Sequence, residues 1–136
     1  MVALAYNNQI PPIAMNLNNF HLKKVSRNQA MTVLHYLNSV INEVKETILQ
    51  SNHSFNRMQL QCDLIELSKL ALRIMNRLTT LKPGKTLSLT LSSTSTLVFI
   101  KYQKMFEQKS PQDIDTTNLI SILASQIHQQ FIDLNP

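Results

Sequence analysis

The chain has 136 residues, 43% of them hydrophobic, with one Gly, one Cys and no Trp; thirteen basic residues against eight acidic ones give a net charge of +5. That length suits one domain with a sizeable core, and the apolar fraction excludes a disordered tail. The single Gly argues against Gly-rich phosphate loops and turn-dense β-barrels, and the single Cys rules out an internal disulfide.

Residues 1–19 hold Pro11-Pro12 and five Asn, without a sustained period. Val2, Leu4, Ile10, Ile13, Met15 and Leu17 are too apolar for a solvated tail. An extended arm is expected here, lying on the domain or on a neighbouring subunit. Met1 to Ala5 is short and lacks the basic flank of a secretory leader. No run approaches the ~18 apolar residues of a membrane span. A cytoplasmic setting without membrane contact is therefore expected. Residues 20–136 read as a single helical domain.

Phe20 to Val25 is a candidate strand. A helix over about 26–50 follows: Ser26 and Gln29 have capping-box spacing. Ala30, Val33, Leu37, Val40 and Val44 recur by threes and fours, with Leu34, Ile41 and Ile48 beside them, and make one wide apolar face. Ser51, Asn52 and Ser54 interrupt the pattern and offer caps for a second helix, over about 55–81. That helix carries Leu60, Leu64, Leu67, Ala71, Ile74, Leu78 and Leu81, a heptad seam. The short connection makes the two helices an antiparallel hairpin. Ile65, Leu70, Leu72 and Met75 lie off the seam, so the second helix has more apolar surface than one partner covers. Ile65, Leu72 and Met75 are the candidate contacts to another subunit. Cys62 reads as a small buried hydrophobe.

Lys82-Pro83-Gly84-Lys85 is a turn. Residues 86–91 then alternate Thr-Leu-Ser-Leu-Thr-Leu, the pattern of a half-buried strand. One of the hydroxyl residues Ser92 to Thr96 caps a third helix, over about 95–108, whose start (Leu97 to Ile100) is expected to be buried. Ser110-Pro111 ends it. A fourth helix runs over about 115–134, with Ile114 and Leu119 at hydrophobic-staple spacing. Its apolar face holds Leu119, Leu123, Ile127 and Phe131, flanked by Ile120 and Leu134. The strand–serine–helix order thus occurs twice at an offset of 66, which pairs Ser26 with Ser92 and Tyr36 with Tyr102. Shared local grammar explains this better than duplication. If both strands form, they pair as one ribbon supported by the helices.

The fold class is therefore mainly α with a small β component. No catalytic constellation accompanies it. Gly84-Lys85-Thr86 resembles the end of a phosphate loop, but Thr79 stands where the first Gly belongs, and the helix precedes the strand. His21, His35, His53 and His128 lack metal-pair spacing. No cofactor, metal ligand or catalytic residue is expected, and the chain is read as a non-enzyme.

Charge is the uneven feature. No acid lies between Glu66 and Glu107. Lys69, Arg73, Arg77, Lys82, Lys85, Lys101 and Lys104 fall in that interval, and Lys23, Lys24 and Arg27 form a second cluster. The first three recur every four residues, as a stripe on one helix face. The leading expectation is a self-associating protein-interaction module, with a homo-oligomer or another protein as partner. A component of a viral or mobile-element assembly fits this description. The alternative is a nucleic-acid-binding accessory protein that uses the stripe to track phosphates.

Overall fold

Three leucines on one strand face three apolar residues on another, and the helices close over that row. The computed structural model describes residues 19–134. In chain order the elements are β1 (Asn19–Val25), α1 (Arg27–Gln50), α2 (Ser54–Thr80), β2 (Leu87–Ser92), α3 (Ser93–Lys101), α4 (Gln103–Lys109) and α5 (Ile114–Leu134). The protein is mainly helical, with one antiparallel two-stranded sheet. The arm expected over 1–19 lies, but for Asn19, outside the described residues.

The ribbon pairs Phe20 with Leu91, Leu22 with Leu89, and Val25 with Leu87. Between Leu22 and Val25 the register shifts by one, and Lys24 takes a left-handed φ of +57°. This is a β-bulge. Strict alternation from Phe20 and Leu22 would point Lys24 into the core and Val25 to solvent. The inserted residue turns Lys23 and Lys24 both outward and returns Val25 to the buried side. Phe20, Leu22, Val25, Leu87, Leu89 and Leu91 are all buried.

Each strand runs into a serine cap. Ser26 Oγ accepts from the Gln29 N–H at 3.1 Å, and Gln29 Oε1 accepts from the Ser26 N–H at 3.0 Å, completing the expected capping box. Ser92 Oγ accepts from the Ser95 N–H at 3.1 Å. An N-cap of this kind contributes about 1 kcal/mol. The twofold strand–serine–helix order is therefore present in space as well as in sequence.

The antiparallel hairpin forms as expected, and the seams of α1 and α2 meet. Ala30, Val33, Leu37, Val40, Ile41, Val44 and Ile48 are buried on α1, together with Tyr36. Leu67, Leu70, Ala71 and Ile74 are buried on α2, while Leu60, Leu64, Leu78 and Leu81 are partly so. The aromatic rings of Tyr36, Phe99 and Phe106 stack edge-on, with centroids 5.3 and 5.2 Å from Tyr36, and join α1 to α3 and α4.

Several local expectations are corrected. The cap of α2 is His53, whose Nδ1 accepts from the Asn56 N–H at 3.4 Å, rather than a neighbouring Ser or Asn. The third helix begins at Ser93 and breaks at Tyr102 into α3 and α4. Within it Val98 and Phe99 are buried, but Leu97 is 70% exposed. The cap of α5 is Asp113, whose Oδ1 accepts from the Thr116 N–H at 3.3 Å. That moves the cap two residues before Asp115, so Ile114 cannot be the staple and is exposed. On α5, Ile120, Leu123 and Ile127 are buried and Leu119 partly so. Phe131 is exposed, and the Leu134 side chain lies outside the described residues.

Candidate interaction surface

Helix α2 presents three sides. Its seam packs on α1. Its flank meets α3 and β2 through polar groups. Lys101 Nζ stands 2.7 Å from Asp63 Oδ2, and the Tyr102 hydroxyl donates to the same oxygen. Burial and that carboxylate together hold the Tyr102 hydroxyl well above its ordinary pKa, so it remains a donor. Ser95 Oγ donates to Glu66 Oε2 at 3.4 Å, and Arg73 Nη2 donates to the Thr90 carbonyl at 2.8 Å.

The third side faces away from the core. Phe55, Met58, Ile65, Leu72 and Met75 are 58, 59, 53, 57 and 48% exposed, and Cys62 is exposed among them. The steps between Phe55, Met58, Cys62 and Ile65 are three, four and three, a second heptad row opposite the first. Lys69 occupies the next position. Its amine leans toward Glu66, 3.9 Å away, while its methylenes continue the row. From Phe55 to Leu72 the row spans about 25 Å of helix, and Met75 lies at its edge beside Leu72. Scattered exposed hydrophobes are ordinary, but a contiguous row marks an interaction surface.

The exposed positions of Ile65, Leu72 and Met75 place all three residues picked from sequence on this outer side. Phe55, Met58 and Cys62 were missed there, although their spacing to Ile65 carried the signal. The burial expected for Cys62 is overturned for a geometric reason. It follows Leu60 by two residues, roughly 200° around the helix, and so points away from the seam.

The stripe of Lys69, Arg73 and Arg77 and the other four basic residues of the acid-free interval are dispersed. Lys69 leans on Glu66, Arg73 is tied to β2, and Lys101 is paired with Asp63. Lys104 is exposed on α4, while Arg77, Lys82 and Lys85 are exposed at the end of α2 and its turn. Arg27 was assigned to a separate cluster, yet it crosses to α2. Its Nη2 donates to the Leu81 carbonyl at 2.5 Å, and its Nη1 to the Leu78 carbonyl at 3.4 Å. The last carbonyls of a helix need such donors, and a cation is favourable at that end of the dipole.

Among the described residues, no three His, Cys, Asp or Glu side chains come together as a metal site. No helix there is long and apolar enough to cross a membrane. No family model, curated protein or solved structure matches the chain.

Proposed function

We propose that this protein is a non-enzymatic assembly module that pairs with a second copy of itself through the outer row of α2. The observation that carries the reading is the apolar row Phe55, Met58, Cys62, Ile65 and Leu72, with Met75 at its edge, lying on a helix whose opposite side is already in the core.

A second copy suits the row because an isologous two-fold contact sets one apolar row on the same row of the other copy. The charged flank of α2 stays out of that contact, with Asp63 paired to Lys101 and Arg73 held on the Thr90 carbonyl.

Magnitudes bound the strength. Covering about half of each of five large side chains on both copies yields on the order of 10 kcal/mol. Association costs about 4–15 kcal/mol. The dimer is therefore weak and concentration-dependent.

Light scattering over a concentration series tests this. The parent should rise from one chain mass toward two, and the pair Ile65→Asp with Leu72→Asp should stay at one. A parent that remains monomeric at millimolar concentration overturns the reading.

A further inference from the structure

The two long acid-free stretches of the chain meet at one end of the molecule. The first acid in the sequence is Glu43, and none lies between Glu66 and Glu107. Pairing of Val25 with Leu87 brings the end of β1 against the start of β2. The reach of Arg27 to Leu81 brings the first turn of α1 against the last turn of α2. The 82–85 turn, closed by the Lys85 N–H on the Lys82 carbonyl at 3.1 Å, lies between them. Lys23, Lys24, Arg27, Arg77, Lys82 and Lys85 therefore gather at this pole, all exposed.

None of the six forms an ion pair among the described residues, in contrast to Lys69, Lys101 and Lys109. Residues 1–18 contain no Asp or Glu that could neutralise them. Two further features keep the pole positive. The bulge turns Lys23 and Lys24 outward together, at the cost of a left-handed Lys24. The first turn of α1 likewise adds no acid at this pole.

We propose that this pole docks on the phosphate backbone of a double-stranded nucleic acid without reading its sequence. The exposed residues of the segments 23–27 and 82–88 are Lys, Arg, Pro, Gly, Thr and Ser. No exposed aromatic ring is there to stack on unpaired bases, which disfavours single strands. No large apolar side chain is there to enter a lipid interface, which disfavours a membrane. What remains is charge, and charge alone suits phosphates on a regular duplex. The site rests on different residues from the outer row of α2, so neither proposal depends on the other.

The test is binding of the full chain to labelled 25-base-pair DNA and RNA duplexes, followed by anisotropy across salt concentrations. Five cations free of other duties, each meeting a phosphate, give a log–log salt slope of about −4.5, or a roughly 500-fold loss between 50 and 200 mM salt. In Lys23→Glu with Lys82→Glu and Lys85→Glu, the slope should fall to about −2, with weaker binding at every salt concentration. Lys45→Glu with Lys104→Glu and Lys109→Glu makes the same change in net charge away from the pole and should bind as the parent does. The two arms also tell DNA from RNA. No binding by the parent at 50 mM salt overturns the proposal. So does an equal loss in both triple variants, and so does binding to phosphatidylserine vesicles but to neither duplex.

Discussion

The Tyr36 hydroxyl donates to the Phe99 carbonyl over 2.6 Å, joining the middle of α1 to the last turn of α3. That carbonyl belongs to a turn whose acceptors lack donors within the helix. The bond supplies one from outside, and three residues later the chain breaks at Tyr102 and starts α4. Tyr36→Phe removes only the oxygen and leaves the buried carbonyl without this donor. The expected cost is about 1–2 kcal/mol in urea unfolding. A change below about 0.3 kcal/mol, roughly the resolution of such measurements, would show that the bond carries no weight.

The tyrosines also predict alkaline sensitivity. Burial holds the Tyr36 hydroxyl well above its ordinary 10.0, with Glu107 adding to it. Tyr102 is raised by burial and then by Asp63. A raised folded pKa means the stabilisation is complete below the unfolded value and fades as pH rises through and beyond it. Above pH ~10 the unfolded state releases protons that the folded state keeps. Each tyrosine then removes about 1.4 kcal/mol per pH unit. Unfolding followed from pH 9 to 12 should show this fall, with a shallower slope in Tyr36→Phe.

Gln130 grips His21 on both sides of its backbone: the side-chain oxygen accepts from the His21 N–H at 2.8 Å, and the amide donates to the His21 carbonyl at 2.6 Å. His21 pairs with Thr90, whose own carbonyl is held by Arg73. Both free edges of the ribbon are thus occupied by side chains, which blunts the edge pairing that exposed strands invite. Gln130→Leu should cost about 1–2 kcal/mol. It should also speed hydrogen exchange at the His21 amide. Unchanged exchange there would contradict the grip.

Lys24 sits in the left-handed region at φ +57°. A side chain there costs about 1–2 kcal/mol, and glycine removes that cost while adding about 0.5–1 kcal/mol of unfolded-state entropy. Lys24→Gly should therefore stabilise the fold by roughly 0.5 kcal/mol. Lys24→Val should destabilise it, and the opposite order in thermal melts would rule out the bulge.

Asp113 opens α5 and also stands 3.0 Å from His35 Nε2. Hydrogen bonds from Thr116 hold its carboxyl below the ordinary 3.8, against an opposing effect of burial, and His35 adds to the lowering. With a depressed folded pKa, its contribution is present above the unfolded value and is lost as pH falls below 3.8 toward the folded one. Asp113→Ala should cost about 1 kcal/mol at neutral pH as a lost cap. It should also flatten the acid limb of the stability curve below that pH.

Elements with a clean period were legible in the sequence. The middle of the seam (Leu67, Ala71 and Ile74), the face from Ala30 to Val44 and the alternation of Leu87, Leu89 and Leu91 all report burial directly. Features set by one distant group were not. The break at Tyr102 follows a carbonyl, that of Phe99, held by a hydroxyl 63 positions before it, and the basic pole depends on the register of the ribbon, which sets Val25 on Leu87 62 positions away. Two misses had local signals. Charged Lys24 beside apolar Val25 already implied a bulge, and the steps from Phe55 to Ile65 implied a second row on α2.

The helices are exchanged between the two halves of the chain: α2 from the first half tends β2, and α5 from the second tends β1. Neither half can finish alone. A chain severed at the 82–85 turn would leave two fragments, each with a strand lacking its mate and with the side chain that should grip its edge on the other piece. The free edge of β1 is covered only once Gln130 has been made, 109 positions behind His21. During synthesis, β1 therefore keeps one open edge until α5 arrives to cover it.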